Sequence, residues 1–278
     1  MQQLKAFNSL TQTRHGLMLA HTLDKYVGMA LIKYGEFAPR ELLAFESFVR
    51  PGDVVIDGGA NQGALALPLS RMVGDSGLVI CFEPQRLTFQ VLNANMALNC
   101  RPNVMTYQLA LGAEEGTAHF ERLDLTRPQS VGSLAAGSEG ASVPVVTVDS
   151  LGLPRLKLLK LDVEGAERAA LRGAAETIAR CQPVLYVEND KLEHELGVID
   201  DLLALGYRPF WHLTEMVGFP NWRGDEENVF ERDGEQEVNF NLLCLPPGDP
   251  FAMAALILPA LEAQQGEGRD AMLARVNA

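Results

Sequence analysis

The sequence predicts a doubly wound α/β protein: a mostly parallel, seven-stranded sheet with an antiparallel edge pair and an N-terminal helical extension. Three observations carry this expectation. From residue 54 onward, short apolar runs alternate with helical stretches, and parallel strands need such crossovers. The first run, Val54-Val55-Ile56, shows no polar alternation, as in a strand buried on both faces, and it ends in an acid and a glycine-rich turn from Asp57 to Gly63. Two late runs, Tyr207 to His212 and Val238 to Leu245, are separated by a polar aromatic loop without a strong helix, which suits an antiparallel pair at the sheet edge.

The 278 residues suffice for one large domain with appendages, read as a helical cap or lid over residues 1–50, a core domain over 51–248 and a C-terminal helix and tail over 249–278. The formal charge of −13 and the lack of a basic stripe argue against binding to a nucleic-acid backbone. Cys81, Cys100, Cys181 and Cys244 have no Cys-x-x-Cys spacing and read as buried free thiols of a reducing compartment. No apolar stretch reaches roughly 18 residues, and the N-terminus lacks a basic region followed by an apolar core, so a soluble, cytoplasmic protein without a membrane partner is expected.

In order, Leu17, Leu19, Leu23, Val27, Ala30 and Leu31 approximate one face of a helix within residues 13–50, and Glu41 to Val49 form a second helix after Pro39. Tyr34-Gly35-Glu36-Phe37 between them is either a helix-helix turn or a lid. Ala64 to Met72 make a helix with Pro68 near its first turn or at a kink. Leu78 to Phe82 make strand two, Leu87 to Leu98 a helix and Val104 to Leu109 strand three. Residues 116–148 read as an insertion or flexible loop with short β-like pieces near Ala118 to Glu121 and Val143 to Val148. Leu156 to Leu161, a helix from Ala166 to Ala179, Val184 to Val187 and a helix from Leu192 to Leu205 complete the alternation, and Met253 to Leu261 form the last helix.

The turn Asp57-x-Gly59-x-Asn61-x-Gly63 is neither a dinucleotide fingerprint nor a P-loop. An acid at the strand end repels a pyrophosphate but suits a ligand carrying positive charge, such as the sulfonium and ammonium of S-adenosylmethionine. Glu83, at the end of strand two and followed by Pro84, is placed to accept the hydroxyl protons of an adenosine ribose, with adenine against Leu109, Ala110 and Leu111. Asp162 ends the central apolar strand, where a carboxylate needs a cation, expected to be the cofactor or a divalent metal. Glu164 and Glu167 either act at the site or favour a helix N-terminus. Asp162, Glu188 and Asn189 offer an oxygen-only set for Mg²⁺, or hydrogen-bond cofactor and substrate directly. His212 is a candidate general base, or a histidine held at a strand edge. Its neighbour Trp211 and the loop residues Asn221, Trp222 and Arg223 are candidates for binding a hydroxylated substrate, or they cover the sheet end.

The segments VVIDGGANQG, CFEP, VTVDSL, LLKLDVEGAE and PVLYVEND, in this order, closely resemble the FkbM family of S-adenosylmethionine-dependent methyltransferases. LKLDVEGAE is the most specific of them. The resemblance implies a class I methyltransferase (Rossmann-like) fold and methyl transfer to an oxygen, often a hydroxyl of a sugar or natural product. It implies that Asp57, Gly58, Gly59, Ala60, Asn61, Gly63 and Glu83 hold the cofactor, and that Tyr34 and Glu36 belong to a segment closing over it. Gly58 stands where many members carry valine or isoleucine. The resulting expectation is an O-methyltransferase in which Asp162, Glu164, Glu188 and His212 orient or deprotonate a small-molecule or glycan acceptor, with homodimer formation left open. The alternatives are a divalent-metal-dependent, catechol-type O-methyltransferase, a nucleotide-dependent oxidoreductase and an inactive cofactor-binding module.

Overall fold

The computed structural model describes residues 7–132, 136–190, 195–232, 234–248 and 268–276. The chain opens with a hairpin, β1 (Asn8–Thr13) and β2 (Gly16–His21), followed by α1 (Val27–Lys33) and α2 (Pro39–Phe48). The hairpin corrects the helical expectation for the first part of residues 13–50. Met18 and Ala20 are buried while Leu17 is exposed, so the true period at this point is two.

The alternating core follows with β3 (Val54–Gly58), α3 (Ala66–Met72), β4 (Leu78–Phe82), α4 (Arg86–Leu98) and β5 (Val104–Tyr107). The region expected as a flexible insertion is instead folded. β6 (Ala110–Leu111), β7 (Gly116–Phe120), β8 (Ala136–Gly137) and β9 (Ala141–Val146) make a separate four-stranded sheet in the order β6-β9-β7-β8. β10 (Leu158–Leu161) then leads to α5 (Glu167–Arg172) and α6 (Ala175–Cys181), where the sequence predicts one helix. The break has a cause: the Asp149 carboxylate accepts the N–H groups of Glu176 and Thr177 at 3.1 and 2.7 Å and starts α6 as a new helix.

β11 (Val184–Glu188), α7 (Glu195–Ala204), β12 (Arg208–Glu215), a small hairpin of β13 (Glu231–Arg232) and β14 (Glu235–Gln236), and β15 (Val238–Leu245) complete the domain. A C-terminal helix, α8 (Arg269–Val276), follows; the helix expected over Met253 to Leu261 lies outside the described residues. The main sheet has seven strands in the order β12-β15-β11-β10-β3-β4-β5. β15 runs antiparallel between β11 and β12, and the other pairings are parallel. Order and direction match the class I methyltransferase (Rossmann-like) expectation.

Each face of the sheet carries its own core. One joins Val55, Val79, Tyr186 and Leu243 to α2, α3 and α4 through Phe45, Leu67 and Leu92. The other joins Ile56, Leu159, Leu185 and Trp211 to α5, α6 and α7 through Leu171, Ile178 and Ile199. Cys81 and Cys244 are buried free thiols as expected, whereas Cys100 is exposed.

The N-terminal extension is tied to the domain through Asp24, which is buried. Its carboxylate accepts the backbone N–H groups of Tyr26 and Gly28 at the start of α1 at 3.2 and 2.8 Å. It also accepts the Gln62 side-chain amide at 2.8 Å and the N–H of Val131 at 3.4 Å. Gln62 Oε1 in turn accepts the His21 N–H at 2.7 Å, so hairpin, helix, glycine turn and the segment before residue 132 meet at one carboxylate. Replacing Asp24 with alanine leaves several buried donors without an acceptor and is expected to lower unfolding stability by about 2–4 kcal/mol in urea titration. A loss below about 0.5 kcal/mol, the range of an uninvolved surface change, would contradict this role.

Candidate active site

A cavity of about 870 Å³ lies at the carboxyl ends of the central strands. β3 has β10 on one side and β4 on the other, so the chain's winding reverses there and leaves a crevice above the strand ends. Gly59, Asn61, Glu83, Pro84, Leu109, Ala110 and Leu111 line one part of it. Asp162, Glu164, Glu188 and Asp190 line another.

The glycine turn depends on close backbone contact. Gly59 has φ +75°, and a Cβ there would stand 1.8 Å from the carbonyl oxygen of Asp162, so the turn after β3 can lie against the end of β10 only without a side chain. Gly58 is also tightly placed, since a Cβ would come within 2.9 Å of Leu111 Cδ1 and 3.1 Å of the Lys160 carbonyl oxygen. Of the residues expected to touch a cofactor, Gly58 and Gly63 do not line the large cavity, and Ala60 lines a small pocket that adjoins it at Gly59, Asn61 and Asp162.

Glu83 is buried at the cavity wall. Its Oε2 accepts the Asn61 N–H at 2.9 Å and its Oε1 the Gln85 N–H at 2.8 Å. One donor per oxygen fixes the carboxylate and leaves lone pairs for two more. Burial pushes its pKa up to about 7, against the opposing pull of the Gln85 and Asn61 N–H groups and of Lys160.

Asp57 is fully buried, and its cation is a residue of this chain. Lys160 Nζ lies 3.1 Å from Asp57 Oδ1 and 3.3 Å from Asp162 Oδ2, and donates to the carbonyls of Gly58 and Gly59 at 3.4 Å each. Strand pairing dictates the contact, because Lys160 is the register partner of Asp57. Burial alone would lower the lysine pKa, but Asp57, Asp162 and Glu41 outweigh it and hold the ammonium well above its usual range. Lys160 therefore supplies a cation to Asp57, where a positively charged ligand was expected, and also meets Asp162, which still lines the cavity. The signal was present in LLKLD: a lysine inside an apolar strand, two residues from an acid, needs a buried partner.

Asp162, Glu164 and Glu188 converge, with ligand oxygens all within 4.8 Å of one another. Glu164 adopts φ +55° and Gly165 φ +93°. The turn is held by Glu167, whose Oε1 accepts the N–H groups of Val163 and Gly165 at 2.9 and 3.2 Å. The two glutamates thus divide the roles open to them, Glu167 stabilising the turn and Glu164 facing the cavity. Asn189, expected beside Asp162 and Glu188, is buried with its N–H donating to Phe240 O at 2.7 Å and does not line the cavity.

Several other expectations are also corrected. His212 is buried, its Nδ1 is 3.0 Å from the Tyr186 hydroxyl, and burial with Arg40 nearby lowers its pKa to about 4. It does not line the cavity and is unsuited to act as a base there. Trp211 faces the opposite core, edge-on to Phe240. Tyr34 and Glu36 turn away from the cavity: the Tyr34 hydroxyl donates to Glu227 O at 2.7 Å and accepts from the Val229 N–H, while Glu36 accepts the Trp222 N–H and pairs with Arg14. Asn221 bonds within its own loop, and Arg223 donates to Ile32 O, Thr11 Oγ1 and Gln12 O. Arg223 thus ties the hairpin to α1, Trp222 is exposed, and none of the three lines the cavity.

A model of the methyltransferase FkbM domain matches residues 57–209, more than half of the chain. The chain belongs to the FkbM methyltransferase family. It is 30% identical over 145 residues to Methyltransferase 1 of Beauveria bassiana (strain ARSEF 2860), an alignment covering 43% of this chain and 57% of that protein. Among solved structures it is similar to methyltransferase FkbM from Methylobacillus flagellatus KT, with 15% identity, a TM-score of 0.44 and coverage of 69% of this chain and 43% of that one. It is also similar to precorrin-6y C5,15-methyltransferase from Geobacter metallireducens GS-15, with 10% identity, a TM-score of 0.46 and coverage of 74% and 86%. The chain thus spans about half the length of Methyltransferase 1 and of the Methylobacillus flagellatus protein. S-adenosylmethionine is the methyl donor expected of the FkbM family, and the cavity suits it in one testable respect: Glu83 keeps acceptor capacity for a ribose diol on both oxygens. Among the described residues, no helix is long and apolar enough to cross a membrane.

Removing the ammonium leaves two acids without their counter-charge, so Lys160→Met should cost about 3–5 kcal/mol in urea unfolding. Adding Asp57→Asn to that variant should restore part of the loss, with a coupling above about 1 kcal/mol in the double-mutant cycle. Simple additivity of the two substitutions would refute the ion pair as the source.

Proposed function

We propose that the protein is an S-adenosylmethionine-dependent O-methyltransferase acting on a hydroxyl of a small molecule, sugar or natural product. The observation that carries this reading is the division of one cavity into a glycine-turn and Glu83 end and an end with convergent acids. The family match supports methyl transfer as the reaction class. When bound, the cofactor supplies a methyl group already activated by its sulfonium: the C–S bond breaks with its electron pair left on sulfur as the new C–O bond forms.

What falls to the chain is binding, alignment and one proton. Glu83 accepts the ribose hydroxyls, and Gly59 and Asn61 bound the same wall. Leu109, Ala110 and Leu111 offer small apolar contacts for the adenine. At the other end Asp162, Glu164 and Glu188 orient the acceptor hydroxyl, and Glu164 or Glu188 takes its proton as the bond forms. Lys160 keeps Asp162 oriented and compensated. The same oxygen set suits Mg²⁺ in principle, with Glu164 in the place first expected for Asn189; activity unaffected by EDTA and by added Mg²⁺ would remove that branch.

Calorimetry with S-adenosylhomocysteine, together with transfer of labelled methyl to a panel of hydroxylated acceptors, tests the reading. Binding of the cofactor product and labelled ether products are expected, and absence of binding by the wild type rejects it. A diol binds the ionised form of Glu83, whose pKa in the free protein is about 7. Affinity should therefore rise about tenfold between pH 6 and pH 8 and flatten in Glu83→Gln. Glu164→Gln should lower kcat by about 10²-fold or more while S-adenosylhomocysteine affinity stays near that of the wild type. An unchanged kcat would remove Glu164 from the chemistry.

A further inference from the structure

Resting on that reading, we propose that Asp24 is a positioning residue for the methyl donor: it holds the segment from Glu121 to Gly132 as the outer wall of the donor's end of the cavity. Asp24, Ser130 and Gly132 line the cavity together with Gly59, Asn61 and Glu83. The segment is fastened at both ends to neighbours of Glu83. At its start, Gln85 Nε2 donates to Glu121 O at 3.2 Å, and the Gln85 N–H donates to Glu83 Oε1 at 2.8 Å. At its end, Gly132 stands against Asn61, whose N–H donates to Glu83 Oε2 at 2.9 Å. Both anchors are thus one hydrogen bond away from the carboxylate read as the ribose acceptor.

The φ of Gly132 lies outside the left-handed region, so the backbone conformation does not call for glycine there. Space does. A Cβ would stand 2.8 Å from Asn61 Nδ2 and 4.0 Å from Glu164 Oε1. The Asn61 side chain is poorly able to give way, because its Oδ1 accepts the Gln62 N–H at 2.7 Å. The absent side chain lets the segment approach the glycine turn where the donor and acid ends of the cavity meet.

Asp24 and its neighbours hold the middle of the segment. The Gln129 N–H donates to Leu23 O at 2.9 Å, the Lys25 N–H to Gln129 O at 3.0 Å and the Val131 N–H to Asp24 Oδ1 at 3.4 Å. The pairing is a single parallel bridge between Asp24 and Gln129, not a strand ladder. Asp24 is itself fixed by the Tyr26 and Gly28 N–H groups and by Gln62, which follows Asn61 in the glycine turn. The carboxylate therefore sets how closely the segment lies against the turn. A hold made of these three hydrogen bonds can open locally while the sheet stays folded, and its opening releases the donor.

The test uses the full chain and S-adenosylhomocysteine, whose binding to the wild type is measured first by calorimetry. Absence of binding rejects the methyltransferase reading and this proposal with it; binding leaves the proposal to be decided by rates and exchange. Gly132→Ala should speed dissociation of S-adenosylhomocysteine by about tenfold or more. Asp24→Asn should do the same, because its amide turns a donor towards groups that donate to the carboxylate. Gly116→Ala, which enters open space on the same small sheet, should leave the rate unchanged. In the wild type, S-adenosylhomocysteine should slow hydrogen exchange at the amides of residues 129–132 by about tenfold or more and leave α7, which does not line the cavity, unaffected. This measurement needs no variant and decides the matter if a substituted protein fails to fold. Wild-type dissociation rates from folded Gly132→Ala or Asp24→Asn, equal acceleration by Gly116→Ala, or exchange at residues 129–132 indifferent to the bound product overturns the proposal.

Discussion

A buried ammonium holds the centre of this fold in place. Lys160 stands under the glycine turn between Asp57 and Asp162, and its alkyl stem belongs to a strand whose other residues are all buried and apolar. Moving an ion from water to such a place costs several kcal/mol, offset only where geometry and additional hydrogen bonds are good. Both conditions hold: two carboxylates lie within 3.3 Å, and two carbonyls of the turn point at the same nitrogen. The carbonyls matter as much as the acids, because they belong to Gly58 and Gly59 and so fix the path by which β3 enters the cavity. Strand register, turn conformation and the direction of Asp162 are set by one side chain.

The periphery is organised around a second buried acid. Asp24 gathers donors from α1, from Gln62 in the glycine turn and from Val131, so the hairpin and the segment after β7 are fastened to the same turn that Lys160 supports from beneath. Burial raises the Asp24 pKa, and the hydrogen bonds from Gly28, Tyr26, Val131 and Gln62 act in the opposite direction. Glu41 reaches inward from α2 to Thr214 and Asn241, and burial raises it to about 7 despite the pull of Lys160. The extension therefore contributes polar contacts to the glycine turn and to the antiparallel edge pair as well as apolar cover, and its loss would uncover charges as well as leucines.

Much of this architecture could be read from the residues. The apolar runs at Val54, Leu78, Leu158 and Val184 are short and nearly continuous, as buried parallel strands are, and the acids ending the last three, Glu83, Asp162 and Glu188, line the cavity. The hairpin was less legible because Leu17, Leu19 and Leu23 fit a helical stripe as well as a strand, and only packing of Met18 and Ala20 beneath α4 and α1 decides between the two. His212 and Trp211 look functional as polar or aromatic residues near a strand end, yet an eight-residue strand extends beyond them and buries both. Lys160 was legible but overlooked: its partner is set by register with a strand about a hundred positions earlier, and sequence spacing does not display register.

The segment from Asp162 to Glu167 shows how neighbouring acids acquire different work. Asp162 continues the line of β10 and is compensated from behind by Lys160. Glu167 is the first residue of α5, where an acid suits the helix dipole, and its carboxylate closes the turn by accepting two backbone N–H groups. Glu164, between them, sits at a positive φ that costs of order 1–3 kcal/mol in an L-residue and persists only because its surroundings impose it. An aspartate-to-helix connection needing no chemistry could place glycine there and avoid the strain. The strain thus holds a carboxylate beside two others at the wall of a large cavity, where a connection serving only the fold would have no reason to place one.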